Sequence, residues 1–158
     1  MPRPALRPGA PARRAPGPRR AAPARAAAAL ALLAAAGPLA AAEDPAHGLW
    51  RTEANAEGGY LEVELGPCAG APEETCGVIR RAVTPAGEAP GYPHLGRVMI
   101  EGMTRDGRAY AGGTIWAPDD DETYRSEMTL SESGEVLQVE GCVLVFCRGQ
   151  DWTRVAAD

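Results

Sequence analysis

From residue 48 to residue 155, apolar and polar residues alternate with a period of two in one short segment after another. Leu61, Val63 and Leu65 alternate with Glu62 and Glu64; Tyr124, Ser126, Met128 and Leu130 share one parity; Leu137 and Val139 alternate with Gln138 and Glu140. That period places successive side chains on opposite faces of a strand, and the 3.6-residue period of an amphipathic helix is almost absent. Eight strands are expected: Gly48–Thr52, Tyr60–Leu65, Cys76–Ala82, Arg97–Met103, Tyr110–Trp116, Thr123–Leu130, Val136–Cys142 and Cys147–Val155. Turn formers such as Glu57-Gly58-Gly59, Thr104-Arg105-Asp106-Gly107, Pro118-Asp119-Asp120-Asp121 and Ser131-Glu132-Ser133-Gly134 separate them. The seven prolines after residue 42 are expected outside the strands, because proline cannot donate to a ladder. Eight short strands in tight succession predict an antiparallel meander, and closure into a barrel removes its two exposed edges. The fold class is therefore all-β, an eight-stranded up-and-down barrel. Gly112-Gly113 would permit a sharp bend, and the long connection from Val83 to Gly96 is expected over one barrel mouth.

The first 42 residues have a different character. Seven arginines and no acid precede Ala26–Ala36, an apolar run of 11 residues, which Gly37-Pro38 breaks before Leu39-Ala40-Ala41-Ala42. A basic stretch, a short apolar run and small residues at a cleavage position make a secretory signal peptide. The run is too short for a transmembrane helix, which takes roughly 20 apolar residues. Residues 1–42 are read as the signal and 43–158 as one domain, with cleavage after Ala42 and no cysteine following it to carry a lipid. The destination is the periplasm or the medium. Residues 43–158 keep nine arginines and all 21 acids, a formal charge of −12. That balance argues against nucleic acid as a partner, since phosphate binding needs clustered cations.

Four cysteines, Cys68, Cys76, Cys142 and Cys147, lie in the exported part. An even number in an oxidising compartment implies two disulfides, with three possible connectivities. The local pairing, Cys68 with Cys76 and Cys142 with Cys147, is preferred because each pair flanks an expected hairpin turn. Neither spacing is that of a zinc site, and no histidine is near.

Gly48-Leu49-Trp50 opens the first strand and Trp152-Thr153-Arg154 closes the last. This resembles the lipocalin and calycin arrangement, in which an arginine from the last strand covers the tryptophan of a Gly-x-Trp on the first. Gly48, Trp50, Trp152 and Arg154 are accordingly the candidate closure residues. Further matches are Cys76-Gly77-x-Ile79, Leu95-Gly96, Gly112-Gly113-Thr114-Ile115-Trp116-x-Pro118, Thr123-Tyr124, Leu137-x-Val139-x-Gly141-Cys142 and Cys147-Arg148-x-Gln150-x-Trp152-Thr153-Arg154-Val155. Over roughly residues 47–155 the chain resembles the DUF2147 family of exported bacterial proteins. The resemblance implies a lipocalin-like barrel and an envelope location, and no particular activity. The chain departs from the family at Ala89-Pro90-Gly91-Tyr92-Pro93-His94, where a charged Asn-Pro stretch is usual.

Catalytic constellations are missing from the pattern. Ser126, Ser131 and Ser133 lack a nucleophile elbow, and His47 and His94 both sit in coil. Asp119-Asp120-Asp121-Glu122 lacks the spacing of a calcium loop and reads as a solvated turn. No catalytic residue, metal or cofactor is assigned. Val143-Leu144-Val145-Phe146 stands out, since four apolar residues fill a place where a polar turn is expected. With the aromatic residues Tyr92, His94, Tyr110, Trp116 and Tyr124 it forms the candidate ligand or partner contact. The preferred function is a monomeric binding module for a small apolar or amphipathic envelope ligand, without catalysis. The alternative is a protein-interaction module, such as an inhibitor, acting on an envelope protein through an exposed loop.

Overall fold

Residues 43–156 are described by a computed structural model, and among them every regular element is a strand. The leader expected at residues 1–42, with its cleavage position, lies outside the described residues. The strands are β1 (Gly48–Arg51), β2 (Tyr60–Cys68), β3 (Ala71–Thr84), β4 (Gly87–Glu88), β5 (Val98–Asp106), β6 (Ala109–Ala111), β7 (Thr114–Ala117), β8 (Glu122–Leu130), β9 (Val136–Val143) and β10 (Phe146–Arg154). β4 is a two-residue return of the chain against the end of β3. β6 and β7 are two halves of one broken strand, pairing with β5 on one side and β8 on the other. Eight staves therefore run antiparallel in chain order. Pairing of β1 with β10, Trp50 opposite Arg154 and Arg51 opposite Thr153, closes the barrel.

The break between β6 and β7 has a steric cause. Gly112 adopts φ +86°, and a Cβ on Gly113 would lie 2.2 Å from the Glu101 carbonyl oxygen and 2.5 Å from the Met103 sulfur. Only two glycines let the chain corner this tightly against β5. The Gly113 carbonyl still accepts from Ser126 N–H at 2.9 Å, so β8 loses no bond at the kink.

Two expectations about the strands need correction. Pro67 and Pro72 lie inside β2 and β3 rather than in loops. These strands extend past the barrel as a two-stranded arm: β1 pairs with β2 only as far as Leu65, and β5 meets β3 only from Thr75. Outer edges without partners tolerate a residue lacking an N–H. Glu62, expected on the solvent face, is buried. A register shift lies between Glu62 and Val63, and the Glu62 carboxylate pairs with Arg81 at 2.6 Å.

Inward positions from every long stave fill one half of the barrel. Trp50, Val63, Leu65, Ile79, Ile100, Met103, Tyr110, Met128, Leu130, Leu137 and Trp152 are all at most 3% exposed. Each such aliphatic or aromatic side chain contributes about 1.5–3 kcal/mol relative to exposure.

Candidate functional site

The two ends of the barrel differ. At the end where β1 begins, residues 44–47 fold across the opening. Ala46 is fully buried, and its carbonyl accepts from the Trp50 indole N–H at 2.8 Å. Arg154 reaches over the same ring, its guanidinium carbon 4.2 Å from the centroid. It donates to the carbonyls of Pro45 (2.5 Å), His47 (3.0 Å) and Gly134 (2.8 Å). Gly48 suits this place because its φ of +128° is strained for any other residue, and a Cβ would also come within 2.9 Å of the Arg154 Nη1. Tyr110 donates its hydroxyl to the Asp44 carboxylate, which also faces Arg105 at 3.9 Å. Burial, then the bond to Asp44, pushes the Tyr110 hydroxyl well above its ordinary value. Three of the expected closure residues, Gly48, Trp50 and Arg154, meet at this end, whereas Trp152 lines the opposite half of the interior; Tyr110 belongs to the plug rather than to a ligand site.

At the opposite end the barrel is unfilled. A cavity of about 670 Å³ opens there. Its wall comes from the inward parity of β9 and β10: Val139, Gly141 and Val143 face Trp152, Gln150, Arg148 and Phe146. Ile115, Ala117 and Tyr124 supply the facing wall, Met99 an apolar side, and Glu53, Pro118, Asp119 and Asp120 the rim. Trp152, 1% exposed, forms the floor with its indole N–H donated to the Gln150 side-chain Oε1 at 3.2 Å. Tyr124 donates to Asp120 at 2.6 Å, and that bond holds its hydroxyl above the ordinary value. The arrangement is an apolar pocket with a polar rim of one cation and three carboxylates, within the size range of drug-sized ligand sites.

The expected contact residues separate into three groups. Tyr124, Val143 and Phe146 line the cavity. Tyr92, His94 and Trp116 do not. Trp116 alternates with Ile115 and Ala117, so its indole points away from the cavity, and the 92–97 segment buries it. Arg97 lies 3.5 Å above that ring, His94 stands edge-on at 4.8 Å and against Tyr92 at 5.3 Å, and Asp121 accepts the indole N–H at 2.8 Å. The long connection is thus packed on the side of the barrel, not across its mouth. Burial, then the nearby Asp119 charge, raises the Tyr92 hydroxyl. Leu144 and Val145 form the exposed turn between β9 and β10, each 85% exposed.

Sequence reasoning missed Arg148 and Gln150, although a signal was present. They share the parity of Trp152, and polar residues at inward positions mean an interior that side chains do not fill. The sulfurs of Cys68 and Cys76 lie 2.02 Å apart, those of Cys142 and Cys147 2.05 Å. The first bond ties the β2–β3 arm and the second the base of the β9–β10 hairpin. Two such bonds fit an oxidising, extracytoplasmic compartment. Among the described residues no group of three His, Cys, Asp or Glu is placed to hold a metal ion, and no helix is long and apolar enough to cross a membrane.

No curated protein matches the chain. A solved structure that resembles it is HP1028 from Helicobacter pylori, described as belonging to the lipocalin family. The TM-score is 0.55 at 15% identity, over 70% of this chain and 82% of that one. At that identity the likeness concerns the fold, a closed lipocalin-like barrel. The family model described as "Uncharacterized protein conserved in bacteria (DUF2147)" matches residues 48–154, and the chain belongs to that family.

Proposed function

We propose that this domain is an exported binding module, acting in the periplasm or medium, that holds an apolar or amphipathic envelope ligand in the barrel mouth without catalysis. The cavity of about 670 Å³ above Trp152 carries the reading, because a barrel of this size is otherwise packed solid. Apolar surface at Met99, Ile115, Val139 and Trp152 suits a hydrocarbon body, and Arg148 with Gln150 suits a polar head near the rim. The plugged opposite end, sewn by Arg154 and Tyr110, supports a single entrance. Native mass spectrometry of the protein recovered from the envelope fraction of producing cells tests the reading. A co-purifying small molecule is expected, and Gln150→Trp, which fills the mouth, should release it. A spectrum of bare polypeptide, with no binding of a fatty acid or lysophospholipid panel, would overturn it. The exposed Val143–Phe146 tip favours a second, compatible reading, contact with another body at the mouth.

A further inference from the structure

The β9–β10 hairpin ends in four apolar residues that none of the described residues covers. Val143 is 56% exposed, Leu144 85%, Val145 85% and Phe146 79%. Leu144 holds φ +54°, a left-handed conformation that is unfavourable for a branched apolar residue. Glycine or asparagine would normally occupy that place, so an apolar side chain is kept there at a local cost. The Cys142–Cys147 bond clamps the base, and the tip therefore projects as a fixed bead rather than collapsing onto the barrel.

Shape and charge choose the occupant. A two-residue turn is narrow and convex, whereas a stable protein interface takes roughly 800 Å² from each partner. Residues 141–150 contain no acid, although the domain as a whole carries −12. Two arginines flank the bead: Arg125, with Nη2 3.4 Å from the Leu144 carbonyl oxygen, and Arg148, one residue past the disulfide. Arg125 also faces Glu127 at 3.7 Å, a solvent-exposed pair that leaves its other donors free. In the adjoining turn Asp120 accepts from Tyr124, and Asp121 accepts from Trp116 and faces Arg97, while Asp119 stays with Glu53 on the cavity rim. An apolar point with guanidiniums at its base matches the layering of a lipid surface, acyl chains beneath phosphates.

We propose that the Val143–Phe146 tip enters the interfacial layer of a phospholipid bilayer and seats the cavity mouth on it. Val143 and Phe146 face both the tip and the cavity, so apolar surface runs unbroken from the bilayer to the pocket. The docking goes beyond the ligand reading and stands whether or not the cavity is loaded. A zwitterionic surface suits it best, since phosphates meet the two arginines without a net negative charge to repel the acidic domain.

The full chain carrying Val145→Trp is mixed with phosphatidylcholine vesicles whose acyl chains are brominated, with the wild-type chain as the background for its buried tryptophans. The tip indole should shift to the blue and lose emission to bromine. Adding Leu144→Asp should lower that partition about tenfold, the effect of withholding one aliphatic side chain from the lipid and adding a charge. Emission that is neither shifted nor quenched overturns the proposal, even if the chain pellets with vesicles through residues before 43. A tip indole shielded from iodide without lipid, in a species twice the monomer mass, overturns it in favour of a second copy.

Discussion

The Arg154 guanidinium lies over the Trp50 indole at 4.2 Å, and these residues are direct partners in the strand pairing that closes the barrel. One side chain thus joins the first stave, the last stave and the plug, through three backbone carbonyls as well as the ring. Arg154→Lys keeps the charge but loses the planar stack and most of the fork, and should cost roughly 1 kcal/mol. Arg154→Ala should cost more, about 1.5–3 kcal/mol, as the half-buried carbonyls of His47 and Gly134 lose a charged donor. In a Trp50→Leu background the Arg154→Lys loss should shrink. Chemical denaturation of the four proteins measures this, and strictly additive losses would refute the coupling.

The corner at Gly112-Gly113 gives a sharper steric prediction. Gly113→Ala should destabilise by about 2–3 kcal/mol, because its Cβ has to displace the β5 backbone and not a flexible chain end. At Gly66, where a Cβ meets nothing within 4 Å, the same substitution should change stability by less than about 0.5 kcal/mol. Equal effects at the two sites would contradict the origin of the kink.

How far the fold was legible follows from these residues. Period-two alternation and turn chemistry located all eight staves, and the terminal Gly-x-Trp and Arg154 located the seam, because both signals are local or carried by rare residues. The β2–β3 arm was not legible: Pro67 and Pro72 signal a break, and only the missing neighbours past Leu65 and before Thr75 make them harmless. The cavity was half legible. Val143 and Phe146 stand out as apolar residues in a turn and Tyr124 as an inward-facing aromatic, but Arg148 and Gln150 need the inward parity of Trp152 to be followed along β10. Trp116 and Tyr110 show the opposite failure. Aromatic identity does not say which face a strand turns to a cavity, nor which barrel end is plugged.

Among the described residues that line the cavity, Arg148 is the one cation. If an anionic amphiphile occupies the mouth, Arg148→Glu should weaken it by roughly tenfold to a hundredfold, a loss of about 1.5–3 kcal/mol for a charged hydrogen bond. A brominated fatty acid quenches the floor residue Trp152 when it binds, and its displacement by titrated lauric acid reads the change. A neutral alcohol of the same chain length should be indifferent to the substitution, and equal losses for both would place Arg148 outside the head-group contact.

Each disulfide closes a short loop, with sequence separations of 8 and 5 residues. The chain-entropy relation gives about 2 kcal/mol for loops of this length. Replacing both cysteines of one pair by alanine should lower stability by about that amount without unfolding the barrel at room temperature. Loss of the Cys142–Cys147 pair should in addition increase amide exchange at residues 142–147. Unchanged exchange there would mean that the ladder alone holds the tip.

The plug predicts an alkaline weakness. The Tyr110 hydroxyl is raised far above its ordinary value, by burial first and by its bond to the Asp44 carboxylate second. In the unfolded chain this phenol releases its proton near pH 10. The folded state still holds it there, so the unfolded state is the one favoured by deprotonation. The contribution of Tyr110 is therefore complete below about pH 10 and declines as pH rises beyond it toward the folded-state value. Tyr92, raised by burial, and Tyr124, raised by its bond to Asp120, act in the same direction. Tyr110→Phe removes the largest of the three. The variant should be less stable than the wild type at neutral pH, by about 1–3 kcal/mol for a hydrogen bond to a charged acceptor. Above about pH 10 its stability should fall less steeply, so the two curves of unfolding free energy converge. Urea denaturation at intervals from about pH 8 to about pH 11 measures both limbs. Parallel curves would show that Tyr110 ionises alike in both states and that the Asp44 bond does not hold its proton.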